Sequence, residues 1–184
     1  MRLHRALSVL ACALVAFLWL TTQAGAQATE SSVLAVKRVD LPPLEPGPTV
    51  LTMAGANGVQ EYDLANLEAL GPHALEAELV WQGEDDVYHG VLLSDVLADA
   101  GLDAVPAVRV RALDGYSAVI PRADWTRWPI LLATRRGGAP MLVRGKGPLR
   151  ILYPLTPETV LAMPQMDSRW VWMVDAIEPE PASP

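Results

Sequence analysis

The apolar residues of this chain change their spacing several times, and each change predicts a different element. Ala6 to Leu20 is a nearly unbroken apolar run behind Arg2 and Arg5, and Ala24-Gly25-Ala26 offers small residues for cleavage. That order predicts a secretory signal peptide over residues 1–26, and hence a periplasmic protein. The run is short for a membrane-spanning helix, so an uncleaved N-terminal anchor is the second reading. Beyond the polar Thr29 to Ser32, the segment Leu41-Pro42-Pro43-Leu44-Glu45-Pro46-Gly47-Pro48 is too rich in proline for a helix or a central strand. Residues 27–48 are therefore expected to form an extended arm.

From residue 49 the pattern becomes regular. Val50 to Met53 begins as a strand, Asn57-Gly58 signals a turn, and Asp63 stands where it caps a short helix. Leu64, Leu67 and Leu70 share one face of that helix until Gly71-Pro72 stops it. Leu75 to Trp81 alternates like a half-buried strand, and Gly90 opens the clearest helical period. That helix runs to Ala100 with Leu93, Val96, Leu97 and Ala100 inward, and Gly101 ends it. Val108 to Leu113 alternates again, Asp114-Gly115 is a hairpin turn, and Tyr116 to Ile120 returns. Ile130 to Thr134, Met141 to Val143, Leu149 to Leu152 and Trp170 to Ile177 add strands, while Trp125 to Pro129 reads as an irregular connection. The sum is a single α+β domain over residues 49–178, mostly β with a few short helices. Residues 179–184 read as a solvated tail.

Composition narrows the function classes. Without residues 1–26 the chain keeps 184 − 26 = 158 residues, with 12 basic and 21 acidic side chains, a net of 12 − 21 = −9. An acidic domain of that size is a poor nucleic-acid binder. Its only cysteine, Cys12, leaves with the signal peptide, so the exported chain forms no disulfide of its own.

The charge is unevenly spread. From Trp125 to Pro157 there is no Asp or Glu, yet Arg127, Arg135, Arg136, Arg144, Lys146 and Arg150 all fall there. Gly137-Gly138, Gly145 and Gly147 are interleaved with them, and glycine lets backbone N–H groups approach an anion closely. Arg150 is the best candidate for an anion, which a guanidinium holds bidentately. Arg135-Arg136 beside Gly137-Gly138 reads as an exposed hairpin pair. His73 and His89 with Glu84-Asp85-Asp86 between them do not follow a recognised metal-ligand spacing. Ser94 and Ser117 lack the surroundings of a nucleophile, and Ser94 reads as a helix cap. Trp170 and Trp172 share a face if their segment is a strand, and Trp125 and Trp128 form a candidate docking surface.

Several of these segments carry a resemblance. Tyr116-Ser117, Ile120-Pro121, Leu131-Leu132-Ala133, Gly138-Ala139-Pro140-Met141, Gly147-Pro148-Leu149-Arg150 and Trp170-Val171-Trp172 resemble, in order, the oxidoreductase molybdopterin-binding domain of sulfite oxidases. The run from Trp81 through Tyr88-His89-Gly90 to Leu97 is similar to the family segment that follows its metal-binding cysteine. The resemblance spans roughly residues 75–178 and implies a sulfite-oxidase-like fold. It also implies that the family's cysteine would fall around His73 to Trp81, where this chain has none. Where the family has His-Gly-x-Pro-x-Arg, this chain has Gly145-Lys146-Gly147-Pro148-Leu149-Arg150, which retains Pro148 and Arg150 but not the His. Val171, not Lys, precedes Trp172, and the nearest cation is Arg169.

Together these readings predict an exported, non-catalytic binding domain with Arg150, Lys146, Arg144, Gly147, Arg169 and Trp172 as ligand-binding residues and no metal ligand. The expected ligand is a small anion or a pterin-like molecule, and the expected partner a membrane-bound sensor or redox protein. A molybdopterin-dependent oxidoreductase and a purely structural interaction protein are the alternatives.

Overall fold

The computed structural model describes residues 33–181 except 56, 57, 80 and 82; the predicted signal peptide, the polar segment up to Ser32 and the last three residues of the tail lie outside these, as does the first residue of the turn expected at Asn57-Gly58. Two mostly antiparallel sheets and a few short helices make an α+β architecture. In the first sheet, β1 (Val36–Arg38), β4 (His73–Ala77), β5 (Asp86–Leu92), β8 (Leu131–Arg136) and β10 (Arg150–Leu152) lie side by side in that order, and β9 (Ala139–Pro140) folds back on β8. The second sheet runs in the order β3 (Gly58–Tyr62), β2 (Leu51–Gly55), β11 (Val174–Pro179), β6 (Ala107–Ala112) and β7 (Ser117–Pro121). Within it β2 and β11 run parallel.

Most elements follow the sequence pattern. Asp63 caps helix α1 (Leu64–Ala69), its carboxylate accepting from the Asn66 N–H at 2.7 Å. In β2, Leu51 and Met53 are fully buried, as alternation requires. β6 and β7 form the hairpin foreseen at Asp114-Gly115, where Gly115 takes a φ of 87°. Helix α2 (Leu93–Asp99) buries Leu93, Val96 and Leu97, and Ala100 is also buried just beyond it.

Other expectations are corrected. Gly90, Val91 and Leu92 belong to β5, not to the helix, because Gly90 sits where the β5–β8 register shifts. A Cβ there would lie 2.1 Å from the Leu132 carbonyl oxygen, so glycine is demanded by the neighbouring strand. Leu92 occupies the N-cap, and Ser94 donates to Asp95 instead of capping. Trp125 lies in helix α3 (Arg122–Arg127), and Trp125 and Trp128 are both buried, which removes them as a docking surface. The extended arm carries β1, strand β4 ends at Ala77, and Met141 to Val143 is not a strand. The last strand begins at Val174, after Trp170 and Trp172, and continues to Pro179; Glu180 then pairs with Arg109, so the tail begins later than the alternation suggested. Helix α4 (Pro157–Ala162) and a 3₁₀ turn over Pro164–Arg169 fill a stretch with no foreseen element.

The two sheets meet where the site forms. Trp172 makes an antiparallel bridge to Arg150 at the start of β10, and the Val174 N–H donates to the Leu149 carbonyl at 3.0 Å. The chain thus crosses from one sheet to the other beside Arg150.

Candidate functional site

Arg150 begins a strand that is buried along its whole length, and it is only 1% exposed. A guanidinium so placed needs an acceptor. Glu84, from the loop joining β4 and β5, supplies it: its Oε2 accepts from Arg150 Nη2 at 2.6 Å, and its Oε1 accepts from Lys146 Nζ. Tyr88 Oη lies 3.4 Å from Arg150 Nη1, and Arg150 Nε has no partner among the described residues. Burial raises the Glu84 carboxyl, but hydrogen bonds from Lys146 and Arg150 outweigh it and hold the group below the ordinary Glu range. The carboxylate that meets Lys146 and Arg150 in this structure is thus the chain's own.

Aromatic rings enclose this cluster. The Arg150 guanidinium carbon lies 5.6 Å from the Trp81 ring, 5.7 Å from Tyr88 and 5.9 Å from Trp172. Lys146 Nζ sits 4.3 Å from the Trp172 ring centroid and 5.7 Å from Trp81, within cation–π range. Lys146 holds this position with a left-handed φ of 68°, at the cap of the 3₁₀ turn Val143–Gly145.

On the same rings opens a groove of about 410 Å3, lined by Trp81, Trp170, Trp172, Tyr116, Asp114, Asp167, Ser168 and Pro164. Trp81 meets Trp170 edge to face at 5.6 Å and Trp172 at 6.0 Å. One loop therefore delivers both a wall of the groove, Trp81, and the carboxylate that pins Lys146 and Arg150. Two further lining residues are tied together by the Tyr116 hydroxyl, which donates to the Ser168 carbonyl at 2.7 Å. Trp170 Nε1 is buried without an acceptor among the described residues.

The sequence-predicted residues divide. Arg150, Lys146 and Trp172 come together, and Gly147 is buried against Met141, where a Cβ would fall 2.5 Å from the Met141 Cβ. Arg144 is exposed and takes no part in the cluster. Arg169 belongs to a separate network: it donates to Asp124 Oδ2 at 2.7 Å, which also accepts from the Tyr153 hydroxyl at 2.8 Å. Burial and the Asp124 carboxylate push the Tyr153 hydroxyl far above its ordinary range. Arg135, expected at an exposed turn, is 5% exposed and bound through two nitrogens to Glu68. Glu84, Tyr88, Tyr116, Asp114 and Asp167 were not foreseen as site residues. The unusual reliance on tryptophan, with Phe17 the only phenylalanine, was the available signal.

A molybdenum cofactor does not fit this donor set. The span from His73 to Trp81 holds strand β4 and part of the following loop, with no thiolate, and dithiolene-held molybdenum favours a soft sulfur ligand. The two cations nearest the shared Pro148-x-Arg150 spacing are both engaged by Glu84. Among the described residues no group of three or more His, Cys, Asp or Glu side chains is gathered for a metal, and no helix is long and apolar enough to cross a membrane. Comparison of the chain with protein-family models and with curated proteins finds no match.

Proposed function

We propose that this chain is an exported, non-catalytic recognition domain that binds a small ligand in the tryptophan groove, on a scaffold resembling the molybdopterin-binding domain of sulfite oxidases. One observation carries the reading: Trp81, Trp170, Trp172 and Tyr116 line a groove of about 410 Å3, a volume suited to a small molecule. Aromatic rings with polar neighbours make a binding surface. A pterin-like ring is one planar ligand that such walls stack. A free anion is not favoured at Arg150, because Glu84 already neutralises part of the Arg150–Lys146 charge.

The test has two arms. Chain isolated from a molybdenum-replete exporting host should carry only trace molybdenum, and stoichiometric metal with substrate oxidation overturns the non-catalytic reading. Tryptophan emission is then followed during a screen of small metabolites that includes neopterin. A ligand that shifts emission in the native chain but not in Trp172→Leu supports the groove, and a screen that shifts nothing overturns it.

A protein partner is the second reading. It is favoured by Leu113, Leu142 and Val143, all more than half exposed around another groove of about 390 Å3. Crosslinking from these positions in intact membranes identifies such a partner or removes it.

A further inference from the structure

We infer that the tryptophan groove selects a quaternary ammonium compound, an inference that rests on the recognition reading and names its ligand class. The groove has four aromatic walls and two carboxylates, Asp114 and Asp167, and among the described residues no lysine or arginine lines it. An aromatic face attracts a cation through its quadrupole, and a methylated ammonium loses less hydration on entering than a primary amine or a metal ion. Both carboxylates are exposed, so they set the sign of the potential at the mouth without closing it.

The protein itself shows that these rings accept a cation. Lys146 Nζ is placed 4.3 Å from the Trp172 centroid and 5.7 Å from that of Trp81, the two rings that also wall the groove. Its charge, with that of Arg150, opposes an incoming cation. Glu84 bridges both and leaves a net +1 beside the groove against −2 at its rim. Neither Lys146 nor Arg150 lines the groove. Asp114 is held in place by accepting the Tyr116 backbone N–H at 2.9 Å.

The chemistry of the lining indicates a ligand that carries a trimethylammonium head, of which choline is the simplest probe. A flat neutral ring makes less use of the acidic mouth, and a sulfonate or phosphate is repelled by it.

Calorimetric titration of the full-length chain with choline, with its uncharged isostere carrying a tert-butyl group in place of trimethylammonium, and with neopterin separates these cases. Choline should bind at least about tenfold more tightly than the isostere, the increment expected of a desolvated cation–π contact. The Asp114→Asn/Asp167→Asn double variant changes exposed residues and keeps a side-chain oxygen to accept the Tyr116 N–H, so it should fold and lose choline affinity several-fold. Equal affinity for choline and isostere, or binding of neopterin without choline, overturns the quaternary ammonium assignment while leaving a ligand groove. Absence of binding by all three, in a chain whose thermal unfolding is cooperative, overturns the assignment, and the metabolite screen then decides the recognition reading separately.

Discussion

Glu68 and Glu84 both meet an arginine inside the protein, and the surroundings of the two pairs differ. Around Glu68 every acceptor is used: Oε1 takes the Thr134 hydroxyl at 2.6 Å and Arg135 Nε at 2.8 Å, and Oε2 takes Arg135 Nη2 at 2.5 Å. The same Nη2 also reaches the Pro42 carbonyl at 2.8 Å, tying the proline-rich arm to β8. Around Glu84 one carboxylate serves two cations, Arg150 Nε stays unpartnered among the described residues, and Arg150 otherwise meets the Tyr88 hydroxyl at 3.4 Å and aromatic rings. The first arrangement is a closed structural lock. The second shares Trp81 and Trp172 with a groove, so a change there reaches the binding surface.

The largest effect tests the lock. Glu68→Gln leaves the 5%-exposed Arg135 without its bidentate partner and should lower stability by about 3–5 kcal/mol in urea denaturation. Glu84→Gln should lower it by a comparable amount, about 3–5 kcal/mol, because Arg150 is 1% exposed and keeps only the 3.4 Å contact to the Tyr88 hydroxyl. It should also shift tryptophan emission, since Trp81 shares its loop with Glu84, whereas Glu68→Gln should not shift emission in the folded state. Unchanged emission in both variants would break the distinction between the two pairs.

Acid separates the pairs by their titrating neighbours. His89, near the Glu68 pair, has its pKa lowered below 6.5 by burial and then by Arg135, with Glu68 and Asp86 opposing. The unfolded chain therefore takes up a proton there first, and stability falls as pH drops through about 6.5. Glu84 is also lowered in the folded state, so its contribution is complete above the ordinary Glu value of 4.5 and is lost as pH falls through it toward the folded value. His89→Gln should remove the upper loss and Glu84→Gln the lower one in pH-dependent denaturation.

The contrast also shows what the sequence carried. Alternation in Val108 to Leu113 and Tyr116 to Ile120, with Asp114-Gly115 between, was enough to place β6 and β7, because adjacent strands are joined by local turn chemistry. The pairing of Glu68 with Arg135 was hidden, since the partners are 67 positions apart and Arg135 stands beside a Gly-Gly turn that ordinarily signals exposure. Arg150, Lys146 and Trp172 were singled out and do meet, but the counter-ion was assigned to an outside ligand because Glu84 lay in an acidic run that reads as a solvated tip. Gly90 shows the reverse case: apolar spacing favoured a helix through Val91 and Leu92, and the close approach of β8 decided for a strand. Long-range contacts, not local periodicity, settled these positions.

The smallest effect on stability bears most directly on the groove. Tyr116 is 44% exposed and its hydroxyl makes one hydrogen bond among the described residues, to the Ser168 carbonyl, across the rim that Asp114 and Asp167 flank. Tyr116→Phe keeps the ring and removes only that bond, which is worth about 0.5–1.5 kcal/mol. Because the bonded groups are exposed and water replaces the lost partner, the observed change should lie at the low end. Hydrogen exchange should nevertheless quicken across the 3₁₀ turn Pro164–Arg169, whose Ser168 the hydroxyl anchors. Choline affinity should fall if the rim must be held in place for the rings to enclose the cation. Unchanged exchange in that turn would show that the groove is held by the Trp81–Trp170–Trp172 packing alone, making the Glu84 loop, and not the Tyr116 rim, the element that sets its shape.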